Sequence, residues 1–409
     1  MWPCYKQMMN AKLFYLSLFF AIGLLGLIFF VASDQQSSCV GQRLSDLEKQ
    51  NEMLECAILI DDELIFPRNI AVYNDDIWLI DKGNNLFEND QNNGSLYQYK
   101  RHGNGYSKHL ILENLADSND IGIRYHGDGS VWLYFTTRHT VQRLSISSPN
   151  IHTNKNPEIV INNLSTDGWH KLVAIEVSQE HLFLTVPSST DDCELAYSVS
   201  YPCAEESNST AQIRQYDFNG DDLSEGFTVV ASGLRNASAT QLTTDNTQLI
   251  VADNGWDQVD LTKTDYEYKT TPQDEINIID LTKHEHFGWP YCFDNTLITP
   301  PYRHLVSSCG AYKIAHVLLP AHSAPLNMMY FSDKLLVNLH GNNELAAKTV
   351  AFSLDKDGLP IKPFQVNINW NIEGSSLGRP MGLAKLAERE LLVTDDWNHQ
   401  LIKLVFKSD

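Results

Sequence analysis

A short turn after an apolar run is the first place in the chain where the residue types suggest chemistry. The apolar run 248–252 is typical of a strand. The turn after it consists of Asp253, Asn254 and Gly255, and the acids Asp257, Asp260, Asp274 and Glu275 follow further along. Backbone carbonyls and carboxylates are the ligands that hard cations such as calcium take. The 253–255 turn is therefore a candidate calcium site, although most turns of this composition bind no ion.

His170 is the candidate for proton transfer. It follows Gly168 and Trp169 and stands just before an apolar run that predicts a strand. A general base that takes a hydroxyl proton needs a pKa close to the working pH, and histidine is the usual side chain for that role. The chain contains 14 histidines, and a surface loop position is the ordinary alternative for any one of them.

The elements that must position these residues are short strands. Apolar runs alternate with Asn, Asp and Gly turns along most of the chain, with almost no long helical periodicity, which predicts an all-β fold. Six units repeat, each with a lead-in segment, a turn and a strand, and their strand markers are Ile77, Trp132, Leu182, Leu249, Leu335 and Leu391. We predict one closed six-bladed β-propeller from about Phe66 to Val405. Another propeller or a pair of β-sandwiches is the alternative.

The pattern also predicts how the propeller domain is bounded. We assign residues 1–33 to a cytoplasmic stub with an anchor or signal segment, 34–64 to a spacer and 65–409 to the propeller. The segment from Leu391 to Leu404 is expected to share the last blade with an N-terminal strand, because closure removes exposed strand edges. The wide gap between Leu249 and Leu335 predicts a long insertion.

Charge and the N-terminal segment restrict partners and location. The 409-residue chain has a formal net charge of -21, which argues against nucleic-acid binding and leaves cations and neutral sugars as ligands. From Leu13 to Ala32 there are twenty residues without a charge, enough for a helix to span a bilayer core of roughly 30 Å. This predicts a transmembrane or signal-anchor helix. A signal peptide cleaved near Ser33 is the alternative, and either version places the propeller on the periplasmic or extracellular side.

The cysteines agree with an exported, oxidising environment. Beyond Cys4 the chain has six cysteines, an even number: Cys39, Cys56, Cys193, Cys203, Cys292 and Cys309. Proximity in sequence favours three local bridges, Cys39 with Cys56, Cys193 with Cys203 and Cys292 with Cys309. This is one of fifteen possible pairings.

Several motifs in linked order resemble a known family. They are Gly233-Leu234-Arg235-Asn236, the 253–255 turn, Asp274-Glu275-Ile276-Asn277 and Phe287-Gly288-Trp289-Pro290-Tyr291-Cys292, with His170 before them and His322-Ser323-Ala324-Pro325-Leu326 after them. Together they resemble the glucose/sorbosone dehydrogenase family of soluble quinoproteins. That resemblance implies a six-bladed propeller that holds pyrroloquinoline quinone and calcium on its axis and oxidises sugars.

The resemblance also implies roles for individual residues. His170 matches the catalytic histidine, and Arg235 and Asn236 match a pair that faces the quinone. A guanidinium suits the carboxylates of this cofactor, although an arginine that bridges two blades through an acid is the alternative for Arg235. Further cofactor contacts are assigned to Asp253, Asn254, Lys348 and Arg379.

The expected function is thus a membrane-anchored or secreted dehydrogenase of aldoses or related polyols, which passes electrons to an exported acceptor. Two alternatives stay open: a propeller that has lost its cofactor and binds a carbohydrate or protein, and a calcium-dependent lactone hydrolase. The first is favoured by departures from the family pattern. Residues 342–345 replace a tryptophan and an arginine, and Ala237 stands where a proline is usual.

Overall fold

A computed structural model describes residues 39–83, 93–147, 156–164, 166, 168–195, 198–199, 201–207, 210–256, 270–341, 347–372 and 375–408. The chain divides into two compact units, 1–40 and 41–409, and every helix and strand described below belongs to the second. Asp257, Asp260 and residues 342–345 lie outside the described residues.

The second unit is built from six antiparallel sheets, each with four main strands, which we number as blades in chain order. Blade 1 consists of Pro67–Tyr73, Asp76–Asp81, Gly94–His102 and Gly105–Leu115. Blade 2 consists of Ile121–Tyr125, Val131–Thr136, Val141–Ser145 and Glu158–Ile161. Blade 3 consists of Ile175–Val177, His181–Val186, Gln212–Asn219 and Thr228–Ser232, with Glu285–His286 added at its outer edge and Asp222–Leu223 paired to its third strand.

The remaining blades follow the same plan. Blade 4 consists of Ala237–Leu242, Gln248–Asp253, Gln273–Asp280 and Val317–Ala321. Blade 5 consists of Pro325–Phe331, Lys334–Leu339, Lys348–Leu354 and Pro360–Asn369. Blade 6 consists of Pro380–Ala387, Glu390–Asp395, Gln400–Phe406 and Leu54–Asp61, with Gln42–Arg43 added outside.

Short elements complete the described chain. They are the two-stranded sheets Glu194–Leu195 with Ser198–Val199, Cys292–Phe293 with Leu297–Ile298 and Asn371–Ile372 with Ser375–Ser376, the helices Ser45–Gln50 and Ala204–Ser207, and the 3-10 helix Pro300–Tyr302. The two sheets near the disulfides and the last two helices lie in insertions of blades 3 and 4.

The six blades close into a ring, as predicted. The first strand of each blade is the inner strand, and each inner strand contacts the inner strands of the two neighbouring blades, including blade 6 with blade 1. The predicted shared blade is also confirmed, because Leu54–Asp61 pairs with Gln400–Phe406 as the outer strand of blade 6. This strand falls within the segment assigned to the spacer, and the domain boundaries at 33 and 65 stay a prediction.

The hydrophobic core lies between the blades. Each of six clusters draws its residues from two neighbouring blades, since successive side chains of a strand point to opposite faces. In blade 6, for example, Leu391 and Val393 pack toward blade 5, whereas Leu392 packs toward blade 1. A blade is therefore buried on both faces only when the ring is complete.

An aspartate ends the second strand in three of the blades and has a structural role there. Asp81 accepts the backbone N–H groups of Ile65 and Phe66 in blade 1. Asp395 accepts that of Arg379 in blade 6, and Asp253 has the same function in blade 4. Each carboxylate thus fixes the residues that lead into the inner strand of its own blade.

The membrane-anchored localisation was wrong. Within the part of the chain that the structure describes, no helix is both long and apolar enough to cross a membrane. The segment from Leu13 to Ala32, on which that expectation rested, lies outside the described residues.

Two of the predicted disulfides are confirmed, Cys193 with Cys203 and Cys292 with Cys309. Both tie down the insertions of blades 3 and 4, where they lie in one cluster with Trp289, Tyr291 and Tyr302. Cys39 and Cys56 are also disulfide-bonded, and their pairing with each other stays a prediction.

The closing strand gives a direct test of the fold. Ala57 is fully buried and lies opposite Leu404, so Ala57→Glu would place an unpaired carboxylate in the core between blades 5 and 6. We expect the free energy of unfolding, from urea denaturation, to fall by about 2 kcal/mol or more. Glu55→Ala, at an exposed position of the same strand, is the control and should change it by less than about 0.5 kcal/mol. Equal stability of Ala57→Glu and wild type would contradict the closure.

Candidate active site

The residues that the sequence singled out meet at one end of the propeller. In each blade the start of the inner strand pairs with the end of the second strand, so lead-in residues and strand ends come together. Hydrogen bonds join these segments from blade to blade around the ring: Asn69 N to Asn119 O, Asn119 Nδ2 to Val173 O, Ser188 N to Arg235 O, Ser238 Oγ to Pro325 O, Arg379 Nε to His340 O and Thr394 Oγ1 to Arg68 O. We call this the axial end.

His170 is held as a neutral imidazole whose second nitrogen is available. Its Nδ1 lies 2.9 Å from the carbonyl oxygen of Ser188, an obligatory acceptor, so Nδ1 carries the proton and Nε2 does not. Ser188 Oγ lies 3.0 Å from the same nitrogen and donates its own hydrogen to Thr190 O. Burial and the nearby charge of Arg235 lower the pKa of His170 to about 4. Nε2 is therefore unprotonated at neutral pH, although this pKa lies below the value close to working pH that is expected of a general base.

The loop 188–193, which we call the support loop, binds both His170 and Arg235 through hydrogen bonds. Ser188 holds His170, and Ser189 O accepts the backbone N–H of Trp169 at 2.8 Å. At Gly168 an added Cβ would lie 2.2 Å from Ser189 O, so the two segments approach closely only because this residue is glycine. The indole of Trp169 is 62% exposed and faces solvent beside His170.

Arg235 is bound by the protein itself. Its guanidinium forms a buried ion pair with Asp191 of the support loop, through Nη2 and through Nε at 2.9 Å. Its Nη1 donates to the carbonyl oxygens of Asn254 and Gly255 at 3.1 and 2.6 Å. The geometry is that of the alternative considered from the sequence, an arginine that bridges two blades through an acid, and Arg235 is only 2% exposed.

At the 253–255 turn, the candidate ligands for a cation are backbone carbonyl oxygens rather than the carboxylate oxygens of Asp253. The two oxygens of Asp253 accept the backbone N–H groups of Arg235 and Asn236, at 3.0 and 2.7 Å. The carbonyls of Asn254 and Gly255 converge on one positive group, Nη1 of Arg235, and this is the arrangement that a hard cation also requires. The two carbonyls supply only two of the roughly six to eight oxygens that calcium takes, and only if Arg235 Nη1 is displaced. Among the described residues no group of three or more His, Cys, Asp or Glu side chains has the geometry of a metal site.

Next to this turn lies a pocket with about 470 Å³ of empty space, part of it open to solvent. Its lining includes Arg235, the 253–255 turn, Glu275 and Trp289 but not His170, Asn236, Lys348 or Arg379. Burial, and then the proximity of Asp253, raise the pKa of Glu275 to about 8, and burial raises that of Asp253 to about 7. The predicted site residues are thus of two kinds: some line this pocket, and the others lie at the axial end outside its lining.

Arg379 belongs to a buried network that joins blades 5, 6 and 1. Its Nη2 donates to Nδ1 of His340 at 2.9 Å, and the Nε2–H of His340 donates to Asp396 at 2.8 Å. Asp396 also faces Arg68 Nη1 at 3.6 Å. Arg379 Nη1 donates to none of the described residues, and the side chain is only partly buried, next to the exposed indole of Trp397. Arg379 therefore has a donor left for a ligand.

Positive groups gather at the axial end although the chain is strongly acidic. Arg68 and Lys82 are almost fully buried there, and Lys82 pairs with Asp117 at 2.9 Å. Burial lowers the pKa of Lys82, and the like charges of Arg68 and Lys171 lower it further. Burial lowers the pKa of Arg68 to about 10, with Arg379 acting in the same direction. Each of these two cations also has an acid beside it, Asp117 for Lys82 and Asp396 for Arg68, which offsets its charge.

Sequence reasoning missed Arg68, Lys82, Lys171 and Asp191. Arg68 follows the first residue of its inner strand, whereas Arg235 and Arg379 precede theirs, so the three arginines do not share a position. Asp191 had no signal either, since it lies in an irregular insertion. Lys348 is the first residue of the third strand of blade 5 and is half-buried there.

Comparison with known proteins places the fold in a class. The fold resembles those of several solved sugar dehydrogenases. The family model described as TrAA12-like matches residues 55–300. The chain belongs to the TrAA12-like family.

Solved structures and one curated relative are also similar to this chain. The holo PQQ domain of pyranose dehydrogenase from Coprinopsis cinerea is 18% identical, with a TM-score of 0.66 over 85% of this chain and 95% of that one. The calcium structure of the family AA12 carbohydrate-active enzyme of Trichoderma reesei is 16% identical, with a TM-score of 0.68 over 86% and 95%. An uncharacterized protein of Borreliella burgdorferi is 23% identical over 194 residues, 44% of this chain and 49% of the relative. The match thus spans about half of that relative's length.

The raised pKa values of Asp253 and Glu275 predict how stability depends on pH. Both carboxyls keep protons in the folded state that an unfolded chain loses above about pH 4 to 5, so their contribution to stability is lost as pH rises through about 7 and 8. We expect the melting temperature to fall between about pH 5 and 8 and to level off above that, and the fall should be less steep in Glu275→Gln. The exposed Glu113→Gln is the control and should keep the wild-type slope. A slope unchanged in Glu275→Gln would refute the assignment.

Proposed function

We propose that this chain is a dehydrogenase that uses pyrroloquinoline quinone and calcium to oxidise aldose sugars or related polyols by hydride transfer, and then passes the electrons to an external acceptor. The observation that carries the proposal is His170, a neutral histidine with a fixed tautomer and an available Nε2 at the axial end. Membership of the TrAA12-like family supports the class of reaction.

We assign the following roles in this reaction to individual residues. His170 Nε2 takes the proton of the substrate hydroxyl, and Ser188 keeps the imidazole oriented while it becomes positively charged. Trp169, the residue before His170, is exposed and would offer an apolar surface for a sugar ring. When bound, the quinone would supply the hydride acceptor, and calcium would polarise its oxygens.

Holding an anionic quinone would fall to the cations of the axial end. Arg379 has an unused donor, and Arg68, Lys82 and Lys171 add positive charge around it. Asn236 and Lys348 belong to the proposed set through their places at the same end. Calcium would take the carbonyls of Asn254 and Gly255, with Asp253 fixing the turn behind them.

One observation favours a second candidate, the non-catalytic propeller. The guanidinium of Arg235 is bound by Asp191, Asn254 and Gly255, so it meets a cofactor only after a rearrangement. If purified protein binds no quinone in the presence of calcium, a carbohydrate- or protein-binding propeller becomes the better assignment.

Replacing His170 tests the proton acceptor. His170→Gln should lower turnover by about 100-fold or more while quinone affinity stays near wild type, because the imidazole acts in the chemical step. In the wild type, kcat/KM should fall on the acid side as pH drops through about 4, where His170 becomes protonated. His181→Gln is the control, since His181 starts the second strand of the same blade, at the other end. Wild-type turnover in His170→Gln would exclude this mechanism.

Replacing Arg379 tests the anion site. Arg379→Gln removes one charge-assisted donor, so the Kd for pyrroloquinoline quinone, measured by fluorescence titration with calcium present, should rise by about 10- to 100-fold. Arg389→Gln is the matched control, because Arg389 is an exposed arginine at the opposite end of blade 6. Equal affinities of the two variants would remove Arg379 from the proposed site.

A further inference from the structure

Glu205 is a buried carboxylate that none of the preceding roles uses. It lies on the four-residue helix Ala204–Ser207, directly after Cys203, and is 1% exposed. Its Oε2 accepts the backbone N–H of Ser189 at 2.5 Å and the hydroxyl of Thr210 at 2.9 Å. Its Oε1 accepts the backbone N–H of Thr190 at 2.9 Å and the hydroxyl of Thr190. No cation is among these four donors.

These bonds hold the middle of the support loop. Ser189 and Thr190 stand between Ser188, which holds His170, and Asp191, which holds Arg235. Thr190 also accepts the hydrogen of Ser188 Oγ through its carbonyl and the N–H of Cys193 through its hydroxyl. A carboxylate that fixes Ser189 and Thr190 therefore also fixes the acceptor of the His170 proton.

We propose that Glu205 is a positioning residue for His170: by anchoring the support loop it keeps the Ser188 acceptors on Nδ1, so that Nε2 faces the axial mouth unprotonated. The role is specific to an ionised carboxylate, because both of its oxygens must accept a backbone N–H. This inference rests on the proposed function only for its catalytic consequence, since the geometry of His170 can be measured without cofactor or sugar.

Glu205→Gln would keep the size of the side chain but disrupt its hydrogen bonds to the support loop. Whichever of the two oxygen positions the NH₂ group of a glutamine occupied, it would face the N–H of Ser189 or that of Thr190, donor against donor. Thr210→Val makes a matched control. It removes one hydroxyl donor to the same carboxylate, in the same buried cluster, but leaves both backbone bonds to the support loop intact.

The test is an NMR measurement of the two ring nitrogens of His170 at neutral pH in cofactor-free, nitrogen-15-labelled protein, assigned with His170→Gln, because their chemical shifts report which nitrogen carries the proton. The charges that face His170 are those of Arg235 and Asp191, and both are retained in these variants. In wild type and Thr210→Val the signals should show the proton on Nδ1, where Ser188 O accepts it. In Glu205→Gln, with the Ser188 acceptors displaced, we expect Nε2 to carry the proton in a measurable fraction of molecules.

Kinetics give a second readout. Turnover in Glu205→Gln should fall by about tenfold or more with KM changed by less than about threefold, whereas Thr210→Val should stay within about twofold of wild type. If Glu205→Gln does not fold, Glu205→Asp replaces it, because the shorter carboxylate cannot reach both backbone donors. A His170 that keeps its proton on Nδ1 in a folded Glu205 variant overturns the proposal. A changed tautomer in a protein that oxidises no sugar supports Glu205 and contradicts the proposed function instead.

Discussion

Each blade of this propeller buries its two faces only against its neighbours, so the apolar surface of the whole ring is removed from water only when blade 6 meets blade 1. Six interblade clusters and the shared strand Leu54–Asp61 follow from that requirement. The polar residues at the axial end obey the same condition. Arg68, His340, Asp396 and Arg379 come from three blades and satisfy one another only in the closed ring.

The support loop positions two residues of the candidate site, His170 and Arg235. It is tied to the insertions by the Cys193–Cys203 bridge and by Trp289, whose indole N–H donates to Asp191 O at 3.0 Å. Ser188 of the loop orients His170, and Asp191 neutralises Arg235. The insertions of blades 3 and 4, which contribute little to the ring, therefore determine the geometry of these two residues.

The axial end contains several positive side chains although the chain as a whole is acidic. The formal net charge is -21, yet at the axial end Arg68 and Lys171 lie close enough to Lys82 to lower its pKa. Arg379 acts in the same direction on the pKa of Arg68. At the neighbouring pocket, Asp253 lies close enough to Glu275 to raise the pKa of Glu275. Placing like charges together costs free energy in each case, and an anion at the mouth or a cation at the pocket would relieve that cost.

The sequence by itself determined the fold class, the six repeats, the shared last blade and two disulfides, because period-two alternation, turn residues and cysteine proximity are local properties. It also singled out His170 from its place before an inner strand. Only the tertiary structure decided what the side chains contact. Arg235 is paired with Asp191, 44 residues away, and Asp253 bonds backbone N–H groups rather than facing the pocket with both oxygens free. Such partners depend on which loops the ring brings together, and that information is spread over the whole chain rather than over any motif.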